Sequence, residues 1–146
     1  MIPVDQKENI QEENEKKKEY LRSYRRSVKR EKQILAEIQR LRQDKMFPSM
    51  VNDGMPHGGS QTDLSDYIVA LEQQIEALKK ERLSKITHYG EVEEKIKKMK
   101  NEEEQMVLRL RYIRGLKWEE VALEMGYGWT HIHRIHASAL RNFKME

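Results

Sequence analysis

Apolar residues recur at spacings of three and four through most of this chain, the mark of amphipathic helices. From about Lys16 to Lys45 they are Leu21, Tyr24, Val28, Leu35, Ile38 and Leu41, a narrow stripe interrupted by Glu31. The opposite face carries "RSYRRSVKREK" and reads as a solvated basic surface. A second stripe, Leu64, Ile68, Leu71, Ile75 and Leu78, alternates steps of four and three like a coiled-coil seam, and Ile86 and Tyr89 extend it less regularly. A stripe of that length needs a partner, either the first helix folded back as a hairpin or the same helix of another subunit. Gly90 predicts a kink or break, beyond which Val92, Ile96 and Met99 continue an apolar face.

Helix stops and starts divide the chain. "MFPSMVNDGMPHGGSQ", residues 46–61, has two prolines, three glycines and no periodicity, so it predicts a loop, with His57 a solvated histidine within it. "TDLSD" offers Thr62 or Asp63 as the N-cap of the second long helix. "NEEE" at 101–104 reads as a capping box: Asn101 caps a helix starting at Glu102, Glu104 reaches back to its backbone N–H, and three acids favour the positive helix end. Met106, Val107, Leu110 and Ile113 form its buried face, and Gly115 ends it.

The expected fold is all-α, with long amphipathic N-terminal helices as a hairpin or coiled coil, followed by a C-terminal helix-turn-helix domain. Its segments are a disordered acidic tail at 1–15, a basic helix at 16–45, the loop at 46–61, a coiled-coil-like helix at 62–100 broken near Gly90, and the C-terminal domain at 101–146.

Composition narrows the function classes. Of 146 residues, 36% are charged and 37% hydrophobic, too polar for one thick globular core. Absence of cysteine excludes a disulfide framework and thiol chemistry and suits a reducing cytoplasm. No signal-peptide core and no run of 18 apolar residues is present, so a cytoplasmic protein without a membrane partner is expected. The net charge of +3 conceals an uneven distribution: residues 16–45 sum to +8, while residues 101–146 sum to zero.

The stretch beginning at Trp118 meets the demands of a helix-turn-helix. Apolar residues are needed where the two helices touch, at the fourth, eighth, tenth, fifteenth and eighteenth places, and the chain supplies Val121, Met125, Tyr127, Ile132 and Ile135. The fifth place needs a small side chain and the ninth a residue tolerant of positive φ, which Ala122 and Gly126 provide. On a helix over 129–143, Ile132, Ile135, Ala139 and Phe143 share the core side, while Thr130, Arg134, Ala137 and Arg141 fall opposite. His131 and His133 fall on the two flanks and His136 turns toward the core.

These three histidines do not converge. Their spacings of two and three differ from the four-residue spacing of zinc ligands on one helix, so no metal is expected. No GxSxG motif or phosphate-binding glycine loop occurs, so neither an enzyme nor a cofactor is expected, and no catalytic residue is assigned. The second helix of such a motif enters the major groove, which makes Trp129, Thr130, His133 and Arg134 the candidate base contacts. Arg134 suits a bidentate contact to guanine, and Trp129 either stacks on the sugar-phosphate wall or covers the end of the core. Lys117, His131 and Arg141 are candidate phosphate contacts, with Arg111 and Arg114 weaker ones.

"VLRLRYIRGLKWEEVALEMGYGWTHIHRIHASALRNF", residues 107–143, resembles region 4 of bacterial sigma factors. The upstream part, with "MPHGGSQTDLSDYI" between charged helices, resembles a short family encoded by phages and prophages of Gram-positive bacteria, similar in plan to phage transcriptional regulators of the ArpU and RinA type. The resemblance implies a sequence-specific regulator of phage or prophage transcription whose partner is double-stranded DNA, with RNA polymerase a further candidate partner. The N-terminal helices would then serve homo-oligomerisation, extra phosphate contact or polymerase docking. Two alternatives stand beside this reading: a DNA-packaging protein like small terminase subunits, and a polymerase-binding adaptor without DNA readout.

Overall fold

A computed structural model describes residues 3–46 and 61–146. The predicted loop at 46–61, with His57, lies almost wholly outside the described residues. Every regular element among the described residues is a helix: α1 (Val4–Leu21), α2 (Ser23–Met46), α3 (Gln61–Lys97), α4 (Glu102–Leu108) continued by a π-helical turn (Arg109–Ile113), α5 (Trp118–Met125) and α6 (Trp129–Asn142). No helix among the described residues is long and apolar enough to cross a membrane. The chain divides into two compact units, one of Met1–Arg26 with Lys85–Glu146, the other of Ser27–Ser84.

In the Ser27–Ser84 unit α2 folds back along α3. Ser27 and Ser84 approach through their hydroxyls at 3.5 Å, and Arg82 lies 3.9 Å from Glu31, so the two segments run antiparallel. The seam is rotated from the apolar stripes read in the sequence. Ser27, Ile38 and Leu78 are buried, Ile34, Leu41, Leu71, Gln74 and Ile75 are half-buried, and Leu35, Leu64 and Ile68 are exposed. The physical reason is that the heptad positions facing the partner include Ser27, Gln74 and Ser84, which a count of apolar residues passes over.

The helix boundaries correct four expectations. Residues 4–15 belong to a helix and not to a disordered tail, because α1 is helical from Val4: strong helix formers and ion pairs such as Lys18–Glu15 support it locally. Its far end is docked. Leu21 is fully buried, and Lys17, also buried, donates from Nζ to the Leu140 carbonyl at 2.7 Å, binding the C-terminal end of α6. The basic stretch 16–45 is therefore two helices, separated at Arg22. Helix α3 is helical from Gln61, ahead of the proposed cap, and runs through Gly90 without a break. A glycine there costs about 1 kcal/mol relative to alanine, offset by burial of Val92 and Ile96 just beyond it.

Asn101 caps α4, accepting from the Glu104 N–H at 3.0 Å. The Glu104 side chain does not complete the capping box. It is 5% exposed and accepts from Ser138 Oγ at 2.6 Å and from Asn142 Nδ2 at 2.9 and 3.0 Å, so its carboxylate ties α4 to α6. Successive residues of α4 face two different cores. Leu108 joins Leu21, Val92, Ile96, Met99, Tyr112, Ala139, Leu140 and Phe143, whereas Val107 joins Leu110, Val121, Ile132 and Ile135. The π turn closes with Leu116 N–H donating to the Leu110 carbonyl, and Gly115 there has φ +72°. A Cβ on Gly115 would lie 2.6 Å from the Arg25 guanidinium.

Replacing Glu104 by alanine removes the acceptor for Ser138 and Asn142 and is expected to lower unfolding free energy by about 2–3 kcal/mol, measured by urea denaturation. Gly115→Ala should cost at least about 1 kcal/mol in the same measurement, because an L residue there is strained.

Candidate functional site

Helix α5 ends at Gly126, whose φ of +71° reverses the chain, and the Tyr127 N–H donates to the Ala122 carbonyl at 3.1 Å. Three residues, Gly126, Tyr127 and Gly128, separate α5 from α6. Between these helices Val121, Ile132 and Ile135 are buried, with Ala122, Met125 and Tyr127 half-buried against them. Gly126 itself is exposed at the turn.

Trp118, the first residue of α5, organises one flank of α6. The His133 ring lies 4.8 Å and the His136 ring 4.5 Å from its ring centroid, and the Arg111 guanidinium lies over it at 4.7 Å. Arg111 is held there by donating to the Leu116 carbonyl at 2.9 Å. Behind Trp118, His136 Nε2 and the Tyr112 hydroxyl share a hydrogen bond of 2.8 Å in the core. In front of it, Trp129 packs on His133 at 4.4 Å and is 53% exposed. The result is a column of rings from Tyr112 in the core to Trp129 at the surface.

This column changes the role expected of His133. Its ring sits between two indoles with Nε2 enclosed and without a hydrogen-bond partner, so that nitrogen is not offered to a base edge. His131 is exposed on the other flank, edge-on to Tyr127 at 4.5 Å, and the Tyr127 hydroxyl donates to Glu103. His136 is 8% exposed, and burial, followed by the charge of Lys18, pushes its pKa down to about 4. The same burial pushes the Tyr112 hydroxyl up to about 12.

Thr130, Arg134, Ala137 and Arg141 form an exposed row along α6, and Lys117 is exposed at the α5 N-terminus. Arg134 and Arg141 make no hydrogen bond or ion pair among the described residues. The remaining arginines of this region are engaged: Arg109 with Glu93 at 2.8 Å, Arg111 as described, and Arg114 with Glu124 at 3.0 Å. Sequence reasoning missed Trp118 as the hub, although two tryptophans eleven residues apart with three histidines soon after the second were a visible signal.

A family model described as a protein of unknown function (DUF1492) matches residues 40–144, well over half of the chain. The chain belongs to that family. The family match takes in all of α3 to α6 and begins inside α2. No curated protein and no solved structure matches the chain.

The His136 pKa dictates a pH dependence of stability. Its folded value near 4 lies below the ordinary 6.5, so the unfolded chain binds the proton more readily. The neutral ring's contribution is complete above pH 6.5 and is lost as pH falls toward 4, by up to about 3 kcal/mol. Urea unfolding of the wild type and His136→Phe should diverge in slope across that window, with the variant flatter. Parallel profiles would contradict the assignment.

Proposed function

We propose that the chain is a sequence-specific DNA-binding regulator of transcription, with α5 and α6 acting as a helix-turn-helix and α6 entering the major groove. One observation carries the reading: α6 exposes a row of Thr130, Arg134, Ala137 and Arg141 in which both arginines are without partners among the described residues, while neighbouring arginines are tied down. A free guanidinium near the start of a recognition helix suits bidentate bonding to guanine O6 and N7, and small Ala137 permits close approach. Arg141 and Lys117, near the two ends of the motif, suit phosphate contacts that set the register of the helix. Trp129 suits an apolar contact with a thymine methyl or the sugar wall, held in place by His133. Thr130 supplies a hydroxyl beside it.

The likeness of residues 107–143 to sigma factor region 4 supports the same reading, and the likeness of the upstream part to a family encoded by phages and prophages suggests their genes as the targets. RNA polymerase is a second candidate partner on that ground.

Selection from a random duplex library at about 150 mM salt should enrich a motif containing guanine. Arg134→Ala should erase the preference at that base, a loss of about 1–3 kcal/mol in discrimination, with the fold intact. Arg141→Ala should weaken binding to every sequence alike and reduce the salt slope by about one unit. Unchanged preference in a folded Arg134→Ala protein would remove Arg134 from the reading face, and absence of any enrichment would overturn the proposal.

A further inference from the structure

Helix α3 carries a second, outward stripe in the Ser27–Ser84 unit. Leu64, Ile68, Glu72, Ile75, Lys79 and Leu83 follow one another at steps of four, four, three, four and four, and at 100° per residue they cover about 100° of the helix surface. Leu64, Ile68 and Leu83 are 50%, 44% and 67% exposed. Ile75 is half-buried, and Glu72 and Lys79 are exposed. Three large exposed aliphatics on one helical face make an unusual surface for a chain as polar as this one.

Two properties of the stripe identify its occupant. The spacing reads the same in both directions, so a second copy laid antiparallel places Leu64 opposite Leu83, Ile68 opposite Lys79 and Glu72 opposite Ile75. The charge then matches: the Lys79 stem covers Ile68 of the other copy while its ammonium reaches Glu72 one turn away, and two-fold symmetry makes that contact twice. A parallel pair would set Glu72 against Glu72 and Lys79 against Lys79. Within one chain Glu72 makes no ion pair among the described residues, and Glu76, the like charge four residues on, is repulsive to it. Lys79 pairs with Glu76 at 3.3 Å, an exposed contact readily exchanged. From these features we infer that the chain forms an antiparallel homodimer through the outer face of α3, centred between Gln73 and Gln74.

The absence of native cysteine makes the orientation directly testable. Leu64→Cys and Leu83→Cys are single substitutions of exposed residues. Mixed under mild oxidation, full-length chains of the two variants should form a covalent heterodimer, whereas neither alone should cross-link, since like positions lie about 28 Å apart in an antiparallel pair. Light scattering of the wild type should give twice the chain mass. Glu72→Lys and Lys79→Glu should each weaken dimerisation roughly tenfold, and the double exchange should restore it. A wild-type monomer at a concentration on the order of 100 μM, showing that the face is left bare or takes a different partner, would overturn the inference. So would cross-linking of Leu64→Cys with itself, or failure of the double exchange to rescue.

Discussion

The buried carboxylate of Glu104 fixes how α6 is turned about its own axis. Ser138 and Asn142, one turn apart, both donate to it, so that flank of α6 must face α4. The helical repeat does the rest. Ile132, Ile135 and Ala139 are driven into the cores, His133 and His136 come against Trp118 on the other flank with Trp129 on the far side of His133, and Thr130, Arg134 and Arg141 are left outside. A charge removed from water needs such partners to be tolerated at all. Its two donors both come from α6, which makes this contact a determinant of orientation as well as of stability.

Secondary contacts hold the same helix at its ends. Lys17 of α1 binds a terminal carbonyl of α6, and Phe143 packs near Tyr20 with ring centroids 6.1 Å apart. At the other end, the ring column from Tyr112 through His136, Trp118 and His133 supports Trp129. The π turn contributes by carrying Arg111 onto Trp118 and Tyr112 to His136. An α6 held at both ends presents its outer row with little conformational freedom left to lose on binding a ligand.

Much of this was legible in the sequence, and the exceptions share a cause. The helix starting after Asn101, the turn at Gly126 and the inward set Val121, Ile132 and Ile135 follow from capping, positive φ and periodicity, all of them local rules. Glu104 was visible as an acid in a capping box, but its true partners are 34 and 38 residues away. Lys17 looked like part of a charged helix and is buried against Leu140, 123 residues on. The α2–α3 seam misled for a related reason: Ser27 is buried and Ser84 half-buried where the two helices approach, and Leu64 and Ile68 are left exposed. Local pattern shows which residues form a helix, whereas the face each helix buries depends on its neighbours. His133 belongs with these cases, since only the presence of Trp118 turns a flanking histidine into a spacer.

The most direct measurement is a set of side-chain NMR shifts in the full-length protein, reading the arginine Nε–H and tryptophan Nε1–H signals as duplex DNA is added. A DNA-reading α6 predicts the largest shifts at Arg134, Arg141 and Trp129, with Trp118, Arg109 and Arg114 little changed. Shifts concentrated at Arg109 or Arg114, or none at all under conditions where anionic ligands bind, would contradict it.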